Sequence, residues 1–147
     1  MVSRVREEDL ADLLPLLRGY CDFYEVAPSD AALLSLCRAL LDDPLRDGIQ
    51  LIARGEDGTA LGFATIFWSW STLQAARLAV MNDLFVAPGG RGNGVGEALI
   101  EACRDEAREH GAAWLGWQTA KTNEPAQRLY QRVGAQRSEW LDYGLEP

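Results

Sequence analysis

The feature that most constrains this chain is a glycine-rich turn between an apolar stretch and an amphipathic one. Leu78–Val86 is apolar enough to predict a strand, and Gly94 to His110 carries apolar residues at helical spacing. Five glycines fall within eight residues at the junction, at positions 89, 90, 92, 94 and 96. Because glycine accepts positive φ and carries no side chain, backbone N–H groups can converge there on one anion. The helix N-terminus adds about half a positive charge at the same place, so the turn predicts an anion site.

The spacing of these glycines excludes two common phosphate-binding loops. The chain has no Gly-Lys pair, which excludes the P-loop, and the glycines of this turn never stand at i, i+2 and i+5, which excludes the dinucleotide fingerprint. The remaining pattern is Arg-x-x-Gly-x-Gly, formed by Arg91, Gly94 and Gly96. Arg91 can add a charge-assisted contact to a pyrophosphate. A glycine-rich turn without a ligand is the alternative.

The rest of the chain alternates predicted strands and helices, with no repeat and no linker. The first half is predicted to contain a strand over Ser3–Arg6, a helix from Asp9 through Tyr20 that contains Pro15, and a helix capped by Ser29 that runs through Leu41. Three strands follow, over Gln50–Arg54, Leu61–Trp70 and Leu78–Val86. The second half is predicted to contain the helix from Gly94 to His110, a strand over Trp114–Thr119, a helix over Pro125–Val133 and a strand over Ser138–Leu145. This order predicts one α/β domain over residues 1–147, a mixed sheet with helices on both faces.

The net charge and the cysteine and histidine content limit which partners and metal sites the chain is expected to have. The chain has 14 Lys and Arg against 22 Asp and Glu, a net charge of −8. An acidic surface disfavours nucleic acid and anionic membranes as partners. Three cysteines at unrelated spacings and a single histidine, His110, predict free thiols and no metal site. With no signal-peptide pattern and no long apolar run, we expect a cytoplasmic protein.

Together, the glycine turn and a second motif resemble the GCN5-related N-acetyltransferase (GNAT) family. That family carries R/Q-x-x-G-x-G/A between its fourth strand and third helix, where Arg91, Gly94 and Gly96 stand here. The later stretch Asn123, Ala126, Leu129, Tyr130 and Gly134 is similar to the family's N-x-x-A-x-x-L-Y-x-x-x-G. The motifs begin 32 residues apart, which leaves room for one helix and one strand. The resemblance covers essentially the whole chain.

The resemblance implies a mostly antiparallel mixed sheet, acetyl-CoA as the cofactor and a homodimer. It also implies a proton-donating role for Tyr130 toward the leaving thiolate, and a backbone N–H on the fourth strand that polarises the thioester carbonyl. The cofactor-binding residues it implies are Leu84, Phe85, Val86, Arg91, Gly92, Asn93, Gly94, Val95, Gly96, Glu97, Asn123, Ala126 and Tyr130.

Within the family the chain looks most like the small yeast-type enzymes that acetylate histone tails and D-amino acids. It also resembles the diamine acetyltransferases, whose proposed base is a glutamate two residues before the position of Leu84. Asn82 stands there in this chain, and that departure favours the first group.

The chemistry of the amine adds candidate residues. An alkylamine has a pKa near 10.4, so it arrives protonated and must lose a proton before it attacks. Asp83 and Glu25 are the candidate proton acceptors, with exposed or ion-paired carboxylates as the alternative. Tyr24, Glu25, Trp68, Asn82 and Trp117 are the candidate acceptor-binding residues, since aromatic rings bind alkylammonium groups. Packing in the core is the alternative role for the aromatic ones.

We therefore expect an N-acetyltransferase that moves an acetyl group from acetyl-CoA to the primary amine of a small molecule or amino acid. A protein-lysine or N-terminal acetyltransferase is the alternative within the family. A non-catalytic acyl-CoA sensor is the alternative of another class. The acidic surface favours a cationic acceptor in any of these cases.

Overall fold

The computed structural model describes all 147 residues and contains five strands and four α-helices. In chain order they are β1 (Val2–Arg4), α1 (Leu10–Phe23), α2 (Asp30–Asp42), β2 (Gly48–Arg54), β3 (Ala60–Ser71), β4 (Ala76–Val86), α3 (Val95–Glu109), β5 (Ala112–Gly116) and α4 (Glu124–Arg132). Single 3₁₀ turns at Glu7–Asp9 and Pro88–Gly90 precede α1 and α3. No helix is long and apolar enough to cross a membrane.

The five strands form one mixed sheet in the order β1-β2-β3-β4-β5. The first four are antiparallel neighbours, and β5 alone runs parallel to β4. This confirms the mixed, mostly antiparallel sheet that the resemblance implied. β3 and β4 pair along ten positions, so they form the longest ladder of the sheet.

Helices cover both faces of the sheet, as predicted, because its strands carry apolar side chains on both sides. On one face, α1 and α2 close a core around Leu13, Cys37, Ile52 and Phe63. On the other face, α3 closes a second core whose members include Leu51, Ile66, Leu99 and Cys103, with part of α4 packed against it. All three cysteines are buried free thiols.

The start of α2 follows the local chemistry that the sequence indicates. Ser29 caps α2, and its Oγ accepts a hydrogen bond from the Ala32 N–H at 3.1 Å. Pro15 is the sixth residue of α1 and does not end it. Its missing N–H leaves one turn of α1 without a backbone hydrogen bond, and the helix still continues to Phe23.

Two strand predictions need correction. The strand predicted over Ser138–Leu145 does not form, and residues 135–147 belong to no helix or strand. Trp140, Leu141 and Tyr143 are exposed there, because no neighbouring strand runs beside this segment. The strand predicted over Trp114–Thr119 lies earlier, at Ala112–Gly116, since its pairing with β4 ends at Gly116. Residues 117–119 leave the sheet, and that departure creates the site described below.

His110 contacts Trp68 of β3 and Arg77 of β4, at the end of the sheet away from the glycine loop. Its ring stacks on Trp68 with centroids 3.9 Å apart, and its Nε2 lies 2.7 Å from Arg77 Nη2. Burial, then the charges of Arg77 and Arg4, lower the pKa of His110 below its usual 6.5. The imidazole is therefore neutral in the folded protein at neutral pH, and it accepts a hydrogen bond from Arg77.

This arrangement predicts that His110 makes the protein less stable in mild acid. Below about pH 6.5, His110 binds a proton in the unfolded chain but not in the folded chain. The free energy of unfolding therefore falls with pH until the pH reaches the lower pKa of the folded state. Above pH 6.5 the residue contributes no pH dependence. Melting temperatures at pH 7.5 and 5.5 test this, with His110→Gln as the variant because glutamine can still accept from Arg77. We expect the wild type to lose more than the variant on acidification, whereas equal losses would contradict the assignment.

Candidate active site

One cleft of about 690 Å³ opens where β4 and β5 separate. Its walls are the last part of β4, the glycine loop with the start of α3, the segment after β5, α4 and the end of α1. The lining residues are Tyr20, Phe23, Tyr24, Met81, Asn82, Leu84, Phe85, Val86, Gly90, Arg91, Gly92, Gly94, Val95, Gly96, Glu97, Trp117, Gln118, Thr119, Asn123, Pro125, Ala126, Leu129, Tyr130 and Arg132. A cleft of this size fits a cofactor-sized ligand.

The separation of two parallel strands leaves backbone groups of β4 free. β4 pairs with β5 only as far as Val80, opposite Gly116, yet β4 continues to Val86. The Ala87 N–H donates to the Leu61 carbonyl at 2.8 Å, which shows that residue 87 turns toward β3. Since successive residues of a strand turn alternately to either edge, the N–H groups of Val86 and Leu84 face the cleft. Two donors aimed into a cleft can bind a carbonyl oxygen.

A bulge at Asn82 decides which side chains reach the cleft. Thr65 pairs with Asp83 and Ile66 with Met81, so Asn82 is the extra residue on β4. The bulge reverses the alternation of the strand beyond it. As a result Leu84 lies on the α3 face with Met81, and Asp83 lies on the α1 face with Thr65.

The glycine loop forms an open cradle at the start of α3. Gly92 and Gly94 have φ of 79° and 75°, a conformation that favours glycine, and no atom lies within 4 Å of where a Cβ would stand on either. Gly94 is the N-cap of α3 and provides no side-chain cap, so the amides of the first turn remain free for an anion. Gly96 serves packing instead, since a Cβ there would lie 2.9 Å from Leu129.

Arg91 has a contact that the sequence did not predict. Its Nε donates to the Val86 carbonyl at 3.1 Å, so the side chain ties the loop to the end of β4. Its predicted contact with a phosphate stays a prediction.

Tyr130 lies in the wall opposite β4. Asn123 caps α4 through its Oδ1, which accepts from the Ala126 N–H at 3.3 Å, and the helix then carries Tyr130 into the cleft. The ring packs edge-to-face on Trp117 at 5.2 Å. Burial raises the pKa of Tyr130 above its usual 10, and Thr119 beside it offsets part of that rise. The phenol is therefore protonated at neutral pH and can donate.

The other end of the cleft is aromatic and comes from α1. Tyr20 and Phe23 each pack edge-to-face on Tyr24, with centroids 5.1 Å apart. The Tyr20 hydroxyl lies 3.5 Å from the Asn82 carbonyl, and Asn82 Nδ2 donates to Asp83 Oδ1 at 2.9 Å. Burial, and then the nearby Asp83 carboxylate, raise the pKa of Tyr20 well above its usual value. An acceptor's amine can approach the free edge of β4 from this end.

Most of the predicted site residues converge on this cleft. The lining includes Tyr24, Asn82, Leu84, Phe85, Val86, Arg91, Gly92, Gly94, Val95, Gly96, Glu97, Trp117, Asn123, Ala126 and Tyr130. Asn93 lies in the loop but outside the lining, and Asp83 is also outside the lining, although Asn82, which hydrogen-bonds it, is part of it. Glu25 is exposed in the loop after α1, with φ of 57°, and does not line the cleft.

Trp68 is a correction to the predicted acceptor site. It lies on the α3 face near the end of β3, where its Nε1 donates to the Pro44 carbonyl at 2.8 Å and its ring stacks on His110. Strand alternation places it on the same face as Ile66, in the second core, so it lies away from the cleft.

Sequence reasoning also missed some of the lining. Tyr20 was placed only on the apolar face of a helix, and Thr119 and Arg132 had no assigned role. The spacing of Tyr20 from the earlier leucines signals packing, and the chain carries no local signal that its hydroxyl meets the bulge of β4. Arg132 forms no ion pair and lies exposed at the end of α4.

A family, two related proteins and a solved structure that match this chain are all described as acetyltransferases. Residues 13–135 match the acetyltransferase (GNAT) family. The uncharacterized N-acetyltransferase YhfO of Bacillus subtilis (strain 168) is 32% identical over 133 residues, which cover 90% of this chain and 87% of that protein. The D-amino-acid N-acetyltransferase HPA3 of Saccharomyces cerevisiae is 32% identical over 134 residues, covering 90% of this chain and 83% of that protein. A solved structure of a probable acetyltransferase superimposes with a TM-score of 0.88 at 26% identity, over 100% of this chain and 97% of that one.

Proposed function

The chain belongs to the acetyltransferase (GNAT) family and is an N-acetyltransferase that uses acetyl-CoA, and we propose that it acetylates the primary amine of an amino acid or another small molecule. One observation carries the proposal. A single cleft joins the glycine cradle, the free edge of β4 and Tyr130 to an aromatic end formed by α1. Donor and acceptor can therefore meet at one point.

The cleft fits acetyl-CoA on the chemistry of its own groups. The loop from Arg91 to Glu97 offers first-turn amides and open space for a pyrophosphate. Leu84, Val86 and Ala126 lie along the way from this cradle to Tyr130 and would hold the chain that carries the thioester. Asn123 caps α4 beside them. Acetyl-CoA supplies the thioester that the amine attacks.

The free amides of Leu84 and Val86 would stabilise the negative charge that develops on the thioester carbonyl oxygen. One such donor typically contributes a factor of about 10²–10³ to the rate. The pairing of β4 with β5 ends at Val80, so no strand partner takes these donors.

Tyr130 holds the proton for the departing sulfur. A thiol of pKa about 8.5 leaves more readily when a donor waits beside its sulfur. Burial keeps the phenol protonated, since it raises the pKa of Tyr130. Trp117 packs on the ring and Thr119 lies beside the hydroxyl, at the place where the chain leaves the sheet after β5.

Asp83 is the better candidate of the two for removing the amine's proton. Glu25 is exposed and lies outside the cleft, whereas Asp83 is half-buried and hydrogen-bonded beside the bulge. Tyr24, Asn82 and Trp117 all line the cleft, where the two aromatic rings would face the acceptor. Such rings suit a small alkylammonium group. The D-amino-acid specificity of the yeast relative supports an amino acid as acceptor.

The test is a thiol-release assay with acetyl-CoA across amino acids of both hands, polyamines, aminoglycosides and histone peptides. We expect turnover with small primary amines and little with peptides, because the acceptor end lies between α1 and the segment after β5. Efficient turnover of peptides alone would contradict the small-molecule assignment. Tight acetyl-CoA binding without turnover on any amine would indicate a sensor.

We propose further that the protein is a cytoplasmic homodimer without nucleic-acid or membrane partners. Three buried free thiols suit a reducing compartment, and the net charge of −8 repels phosphate backbones and anionic lipids. The unpaired outer edge of β5 and the exposed Trp140, Leu141 and Tyr143 support self-association. Light scattering at twice the monomer mass, reduced by Trp140→Ser, is the expected result.

A further inference from the structure

Tyr20 stands between the acceptor end of the cleft and a carboxylate that the cleft does not reach. It lines the cleft, whereas Asp83 does not. Its hydroxyl lies 3.5 Å from the carbonyl of Asn82, the residue that hydrogen-bonds Asp83 at 2.9 Å. Building on the proposed function, we infer that Tyr20 is a further catalytic residue, which takes the proton from the acceptor's ammonium group and passes its own to Asp83.

The position of Tyr20 is firmly held. Its ring packs edge-to-face on Phe63 at 5.8 Å and on Phe85 at 6.4 Å, besides its contact with Tyr24. Gly19 lets α1 come this close to β4, because a Cβ there would lie 2.7 Å from the Phe85 ring. The helix thus carries the Tyr20 hydroxyl directly onto the bulge.

The position of Asp83 makes an intermediary necessary. The bulge turns Asp83 to the α1 face, opposite buried Thr65, whose Oγ accepts from Gln50 Nε2 at 3.2 Å. An amine that approaches the Leu84 and Val86 amides from the cleft meets Tyr20 before it meets the carboxylate. The influence of Asp83 on Tyr20, which raises the pKa of the phenol, agrees with their closeness.

The proton transfer balances without any further reagent. One N–H bond of the ammonium group breaks and its proton goes to the Tyr20 oxygen, while the Tyr20 O–H proton moves to a carboxylate oxygen of Asp83. The nitrogen keeps the electron pair with which it attacks, Tyr20 ends neutral as it began, and Asp83 is protonated until it returns the proton to water. Tyr20 turns its hydroxyl from the Asn82 carbonyl to Asp83 for this step.

This role has a consequence that a structural role lacks. An acceptor that is already neutral does not have to lose a proton before it attacks, so its activation does not need Tyr20 or Asp83. The proton that its nitrogen loses after the attack leaves the far more acidic tetrahedral adduct. The matched probes are the best alkylamine from the thiol-release screen and its aminooxy analogue, in which oxygen replaces the CH₂ beside the nitrogen. The aminooxy compound is neutral at pH 7.5, and its shape is nearly the same.

The experiment measures kcat/KM for both probes with Tyr20→Phe, Asp83→Asn and the double variant. We expect each single variant to lose about 10²-fold or more with the alkylamine at pH 7.5, in line with general base catalysis, and less than about threefold with the aminooxy compound. The loss should shrink as the pH approaches the amine's pKa. The double variant should be no worse than the poorer single one, because both residues serve one step.

Controls separate this role from folding and from charge. Asp22→Asn makes the same change of charge at an exposed position whose side chain forms no hydrogen bond. Melting temperature and acetyl-CoA affinity verify that each variant is folded, and Asp83→Asn keeps the test available if Tyr20→Phe does not fold. Equal losses with both probes would overturn the inference while the proposed function stands. A wild type that acetylates no amine would overturn both.

Discussion

We expect the replacement of Tyr130 with phenylalanine to lower kcat by about 10²-fold or more and to change the KM for acetyl-CoA by less than about threefold. The variant keeps the ring that packs on Trp117 at 5.2 Å and loses only the hydroxyl. General acid groups typically contribute 10²–10⁴ in rate, and their removal affects the step in which the thiolate leaves rather than ground-state binding. Steady-state kinetics with the best amine acceptor at saturating concentration measures the effect.

The same variant has a second expected signature, in the choice of leaving group. An acetyl donor whose thiol is more acidic needs less help from a proton donor, so its turnover should fall less. Acetyl thioesters of an alkyl thiol and an aryl thiol with CoA-like chains compare the two cases. Equal and small changes in kcat and KM, or equal losses with both donors, would show that Tyr130 only packs against Trp117.

We expect aspartate at Gly94 to raise the KM for acetyl-CoA at least about tenfold above that of the asparagine variant at the same position. Both side chains tolerate the φ of 75° that Gly94 adopts, and no atom lies within 4 Å of the new Cβ. The two variants therefore share the steric change and differ by one negative charge in the predicted pyrophosphate cradle. Two like charges about 4 Å apart repel by about 4 kcal/mol near a protein surface, which is more than a tenfold effect requires.

Gly58 supplies the matched control for this pair. It lies in the turn between β2 and β3, has φ of 84° and also has nothing within 4 Å of a Cβ. Gly58→Asp and Gly58→Asn should leave the KM for acetyl-CoA unchanged and shift the melting temperature about as the Gly94 variants do. Kinetics at low and high salt add a further check, since screening should narrow the gap between Gly94→Asp and Gly94→Asn. Identical KM values for the two Gly94 variants would contradict an anion site at this turn.

Much of the fold follows from patterns a few residues long. The helices at α1, α2, α3 and α4 each carry an apolar face at helical spacing, and Ser29 and Asn123 cap two of them as local chemistry requires. The failed prediction at Ser138–Leu145 has a clear cause. Alternation shows that a segment can be a strand, but a strand forms only where a neighbour offers an edge, and the short β5 provides no partner along this segment.

The residues of the site likewise differ in how well the sequence predicts them. The sequence points to Gly92, Gly94 and Tyr130 because each belongs to a contiguous motif, and all three line the cleft. Trp68 and Glu25 were plausible by residue type alone. The structure places one against His110 and the other in an exposed loop, since only the packing of distant elements determines which aromatic rings and carboxylates share a pocket.

The glycine loop and the family are evident from the sequence alone, because the amides of the loop lie within a few residues of one another and both family motifs are contiguous. The route by which an amine could reach an acetyl-CoA thioester in the cleft depends on the packing of distant elements. Without the bulge at Asn82, strict alternation would turn Asp83 to the face of Met81; with it, Asp83 turns to α1 and comes beside Tyr20. No local sequence pattern marks a single extra residue in a β-ladder. The position of this bulge depends on how β4 pairs with β3 and on where the pairing of β4 with β5 ends.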